Sequence, residues 1–99
     1  MFEWDERKRL DVLRTREVDL RDLAPAFEGP MITRIDRRGS YGEIRFRAQG
    51  PTGGVLHVIV FAVRGEAIRS ITAWKARRSD HERYQALFAG RDRGDAPAR

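Results

Sequence analysis

GPTGGVLHVIVFAVRGEAIRSITAWKA, residues 50–76, decides how this chain folds. Its middle, Val55 to Val63, is apolar on both faces apart from His57, so a strand made from it is a central strand, covered at least partly on each side. Turn residues flank it: GPTGG at 50–54 on one side and Arg64-Gly65-Glu66 on the other. The chain therefore doubles back twice, and Ala67 to Lys75 becomes the neighbouring strand. The apolar run is far too short to cross a bilayer.

Upstream, Met31 to Asp36 and Gly42 to Ala48 alternate in the manner of strands and are joined by Arg37-Arg38-Gly39-Ser40. Before Pro30 the period lengthens. Asp5 to Arg16 reads as a helix capped by Asp5, with Leu10, Leu13 and Trp4 on a narrow apolar side. Asp19 caps a second, shorter helix with Leu20, Leu23 and Phe27 at helical spacing; Pro25 kinks or breaks it, and Gly29-Pro30 stops it. Downstream, Ser79 caps a last helix running to about Ala89, and RDRGDAPAR at 91–99 reads as a disordered tail. The predicted architecture is α+β: two N-terminal helices, a four-stranded antiparallel meander and a C-terminal helix, in a single domain over residues 1–90.

With 99 residues the chain has room for one two-layer core and none for a separate cofactor domain. It has no cysteine, which excludes disulfides and thiolate metal sites, and its two histidines make a poor metal site; we expect no metal and no cofactor. MFEWDERKRL carries no signal-like apolar run, so a cytoplasmic protein with no membrane partner is predicted. The net charge of +5 is regional. Residues 1–30 hold six basic and eight acidic side chains, whereas 31–99 hold fourteen and seven. Such a positive region attracts polyanions, nucleic acid first and acidic protein segments second.

Strict alternation along residues 67–75 places Arg69 and Lys75 on one face with Ala67, Ile71 and Ala73, and Ile68, Ser70, Thr72 and Trp74 on the other. Arg45 and Arg47 alternate with Ile44, Phe46 and Ala48, giving one apolar and one basic face. Asp80 and Tyr84 are helical neighbours, with Arg77 just ahead of them. His57 is expected to be a half-buried, satisfied imidazole, His81 to be exposed, and Trp74 to pack rather than to stack on a base.

FEWD at 2–5 with Lys8, YGE at 41–43 with Arg45-Phe46, and RSITAWKA at 69–76 with Tyr84 together resemble the BrnT family of toxins, part of the RelE-like group of ribonuclease toxins from type II toxin–antitoxin modules. The resemblance runs in order from Phe2 to about Tyr84. It implies an RNA-cleaving toxin that blocks translation until neutralised by a small BrnA-like antitoxin with a ribbon-helix-helix DNA-binding segment, so that DNA is met only indirectly. It also implies a RelE-like fold. Val12, Thr15-Arg16-Glu17, Phe61 and Trp74 depart from the family pattern. Those departures support an alternative: a catalytically silent module of the same fold that binds nucleic acid or antitoxin.

Metal-free RNA cleavage needs a group to take the 2′-OH proton, cations to hold charge on the phosphorane and an acid for the departing 5′-oxygen. Facing positions and the resemblance together nominate Arg69, Lys75 and Tyr84 for catalysis, with Arg69 and Lys75 as cations, Lys75 alternatively as base, and Tyr84 as acid. Lys8, Arg45, Arg47 and Arg77 are the expected RNA-binding residues.

Overall fold

The computed structural model describes residues 1–37 and 42–95, with side chains described through Leu87. In chain order the elements are β1 (Phe2–Trp4), α1 (Glu6–Arg16), two 3-10 turns (Leu20–Asp22 and Ala24–Glu28), β2 (Ile32–Ile35), β3 (Phe46–Thr52), β4 (Val55–Arg64), β5 (Ala67–Lys75) and α2 (Arg78–Asp95). The expected α+β class holds. The expected sheet does not: it has five strands in the order β1-β5-β4-β3-β2, antiparallel throughout except for β1, which runs parallel to β5. Phe2–Trp4 is too short to show a period of two, and its partner, Ile68–Ser70, lies most of the chain away.

Gly53 and Gly54, with φ of +58° and +79°, make a two-residue hairpin turn whose backbone twist only φ > 0 at both positions supplies. Gly50 and Pro51, expected in that turn, instead continue β3. Gly50 is needed there for close approach. A Cβ on it would meet Met31 Cγ at 3.2 Å and the Ala26 carbonyl oxygen at 3.3 Å, where the second 3-10 turn crosses the sheet.

Asp5 caps α1 by accepting a hydrogen bond from the Lys8 backbone N–H at 3.1 Å. The inward stripe of this helix differs from the expected one. Leu10 is 52 % and Leu13 38 % exposed, while Val12 is 2 % exposed. Arg9 and Arg16, one turn to either side of Val12, face the fold with it: Arg9 makes a bidentate pair with Asp19 at 2.7 and 3.0 Å, and Arg16 donates to the Ala73 carbonyl at 3.4 Å. Guanidiniums with fixed partners thus occupy positions that hydropathy assigns to solvent. The Arg9 guanidinium holds the Asp19 carboxyl below the usual carboxylate range, and Asp19 also accepts from the Arg21 N–H.

The second predicted helix is resolved into the two 3-10 turns, with Pro25 in the first turn of the latter. Leu20, Leu23 and Ala26 from these turns join Val12 and Val18 against Ala48, Ile59, Phe61 and Ala73 of the sheet. Phe27 seals this layer edge-on to Phe61, ring centroids 5.1 Å apart. On the other side of the sheet Val58, Val60 and Trp74 form a smaller cluster with Ile71 and Ala76. β4 is therefore buried on both faces, as its composition requires.

α2 runs to Asp95, past the expected end near Ala89, so part of the predicted tail at 91–99 is helical backbone and 96–99 lies outside the described residues. Positions 38–41 of the predicted β2–β3 connection, Tyr41 included, lie outside them as well. Among the described residues no helix is long and apolar enough to cross a membrane.

Candidate nucleic-acid interface

The pairing of β4 with β5 decides which cations share a surface. Val60 is opposite Thr72, but the next residue, Phe61, is opposite Ser70, so Ile71 is an extra residue in β5. A bulge of this kind reverses the alternation beyond it. Lys75 stands opposite His57, and Arg69 opposite Ala62. Five steps along unbulged β4 separate those partners, an odd number, so Arg69 and Lys75 leave opposite faces of the sheet and lie about 17 Å apart along the strand. The expected co-facial pair does not exist. Lys75 belongs to the helix-covered side, in the row Gly50–His57–Lys75. Arg69 belongs to the other face, which it shares with Glu3 of β1, 3.6 Å from its guanidinium.

On that second face lies a cleft of about 580 Å³ between the first turns of α1, the segment leading into β3, the end of β4 and the near half of β5. Arg7, Lys8, Arg45, Arg64 and Arg69 line it, together with Asp5, Asp11, Glu43, Ser70 and Ile71. Lys8, Arg45 and Arg69 thus line one cleft, from three parts of the chain far apart in sequence. Sequence reasoning missed Arg7, Arg64 and the acids. Glu43 is the most engaged of these acids, 3.5 Å from Arg45 and 3.1 Å from Arg64, and it orients both guanidiniums across the opening. Arg64 sits beside the Gly65 turn, whose function as a connection concealed its charge from any face-based reading.

Further along the same face, Arg47 and Arg77 do not enter the cleft. They surround Trp74 instead. The guanidinium carbons of Arg16, Arg47 and Arg77 lie 5.2, 5.2 and 5.4 Å from its ring centroid. Trp74 is 7 % exposed and packs on Val58 and Val60, so it is a platform for arginines rather than a free stacking surface. Asp80, buried in the first turn of α2, accepts from the Arg77 backbone N–H at 2.8 Å and lies 3.7 Å from Arg47. Arg16 was missed because it reaches this ring from the C-terminal end of α1 across the edge of β5 that the short β1 leaves uncovered.

Tyr84 is not near Arg69's cleft. Its hydroxyl donates to the Pro30 carbonyl at 2.6 Å, tying α2 to the start of β2, and burial pushes its pKa up. His57 is buried, and desolvation, reinforced by Lys75, pushes its pKa down against a smaller opposing contribution from the Val55 backbone. Among the described residues no three His, Cys, Asp or Glu side chains converge as a metal site would require.

A family model for the ribonuclease toxin, BrnT, of type II toxin–antitoxin systems matches residues 4–80. That span includes every residue lining the cleft and ends before Tyr84. No curated protein matches the chain.

Proposed function

The chain belongs to the BrnT family of ribonuclease toxins of type II toxin–antitoxin systems, and from that premise we propose that it is a metal-independent endoribonuclease whose site is the basic cleft around Arg69. The observation that carries this reading is the convergence of Lys8, Arg45 and Arg69 on one cleft of the open sheet face.

In the proposed step the RNA 2′-oxygen attacks the adjacent phosphorus while Glu43, a carboxylate already set between two guanidiniums, takes its proton. Arg45 and Arg69 hold the charge that grows on the phosphorane oxygens. The bond to the 5′-oxygen breaks, that oxygen receives a proton from the Lys8 ammonium, and a 2′,3′-cyclic phosphate remains. Lys75 and Tyr84 take no part in this step, because one faces the other side of the sheet and the other is engaged with Pro30. The guanidiniums around Trp74 extend the positive field along the substrate's approach.

An antitoxin of the BrnA type, with a ribbon-helix-helix DNA-binding segment, would neutralise the protein by covering this face with acidic side chains. The cytoplasm is the compartment in which such a module has its RNA substrate. The test is induction of the chain without a partner, followed by incubation of purified protein with RNA in excess EDTA. Growth arrest and RNA fragments ending in a cyclic phosphate are expected. Normal growth with folded protein and intact RNA would sink the proposal in favour of a silent binding module.

A further inference from the structure

A second cleft, of about 460 Å³, lies farther across the sheet and is lined by Arg34, Ile35, Asp36, Arg37 and Arg47. Arg34 of β2 stands directly opposite Arg47 of β3. Like charges directly opposite one another on an antiparallel pair repel, and here three guanidiniums, Arg34, Arg37 and Arg47, share a cleft with the one carboxylate of Asp36, while Asp80 lies 3.7 Å from Arg47. A bound anion between the two guanidiniums would reverse the sign of that interaction.

The two clefts are parts of one track. Arg45 lines the first and Arg47 the second; they are two residues apart along the chain, on the same face, with about 7 Å between them. From Arg69 on β5 to Arg34 on β2 is three strand spacings across, about 14 Å, and two residues along, about 7 Å, or about 16 Å in all, the rise of roughly five stacked nucleotides at about 3.4 Å each. We propose that the Arg34–Arg37–Arg47 cleft is a second phosphate subsite, which holds the RNA strand a few nucleotides away from the bond cleaved at Arg69 and makes the protein prefer substrates long enough to span both clefts. This rests on the reading of the first cleft given above.

Two 2′-O-methyl RNAs serve as probes, since they lack the attacking hydroxyl and report binding alone: one of about two nucleotides, which fills a single cleft, and one of about eight, which spans both. The parent is expected to bind the longer RNA more tightly. Arg34→Gln should weaken that binding about tenfold, lower the slope of log K against log salt by about 0.7 for the one phosphate no longer neutralised, and leave the short RNA unaffected. Its melting temperature should be no lower than the parent's, because the change removes a repulsion. Arg37→Gln should act on the longer RNA in the same direction.

If both variants bind the longer RNA as the parent does, with an unchanged salt slope, the second subsite is wrong and the first cleft stands. If they weaken both RNAs equally, the residues act through the first cleft and the proposal also fails. If RNA binding is spared while affinity for polyglutamate drops, the cleft serves an acidic protein segment instead. Failure of the parent to bind either RNA overturns both readings.

Discussion

The two faces of β4 look alike in sequence and differ in what covers them. Ile59 and Phe61 face the layer formed by α1 and the 3-10 turns, where the packing is apolar and the fold is held together. Val58 and Val60 face the opposite way, beneath Trp74 and a set of guanidinium groups, with an open basic cleft beyond. One face is a core. The other is a working surface whose apolar floor is screened by arginine side chains instead of a helix layer. Burial alone, therefore, does not tell a structural face from a functional one in a thin sheet; the identity of the covering atoms does.

Removing one cation from each face puts that distinction at greatest risk. Arg69→Ala should reduce RNA cleavage roughly a hundred- to thousandfold, the usual worth of about 3 to 4 kcal/mol for a preorganised donor to a developing anion. Thermal melting should stay close to the parent's. Lys75→Ala, on the core side of the bulge, should leave the cleavage rate within about threefold, well under the effect of losing such a donor. Equal losses from both variants would mean that the two side chains share a site despite the register, and that the separation of faces is wrong.

A smaller effect probes the same difference from the core side. Ile59→Val deletes one methylene from a fully buried position and should cost about 1 kcal/mol of unfolding free energy in urea, with no change in cleavage per folded molecule. A loss of activity without a loss of stability would show that the core face also shapes the site.

The least effect comes from pH. His57 has its folded pKa depressed below the ordinary histidine value, so the unfolded chain binds the proton first as pH falls. Its contribution to stability is whole above the unfolded pKa of about 6.5 and is lost as pH falls through that value toward the folded pKa. Asp19, also depressed, acts only below the ordinary carboxylate range and does not enter this window. Urea melts at about pH 7.5 and about pH 5.5, roughly one unit either side of the histidine value, should show the parent weakening with acid and His57→Gln weakening less. Parallel slopes would place the imidazole in solvent.

The site was only half legible beforehand, for reasons that differ from residue to residue. Arg47 could be assigned to a basic face because no irregularity interrupts the register from Phe46 to Thr52 on β3, and Arg45 lies just ahead of that strand, its carbonyl accepting from the Asp36 N–H. Arg69 and Lys75 could not be related to each other, because counting by twos across Ile71 counts through a bulge. Arg7, Arg16 and Arg64 come from a helix face, a helix end and the last position of β4, and nothing in their local sequence points toward a common surface. Lys8 entered through the family resemblance, and its neighbour Arg9 proved to be an inward structural group paired with Asp19.

Sequence was enough for the α+β class, the central place of β4, the hairpin glycines, the caps at Asp5 and Asp19 and, through its motifs, the family. Most of these are local properties: a residue's own φ, its hydrogen bond a few positions away, or the hydropathy of its immediate run. Folding in three dimensions was needed to bring Phe2–Trp4 into the sheet in parallel, to replace a helix with two 3-10 turns, and to send Arg69 to the cleft and Lys75 to the core side through one extra residue at Ile71. These depend on which strand lies alongside. A pairing energy between distant segments fixes the register, and in a strand a shift of one residue reverses every side chain beyond it.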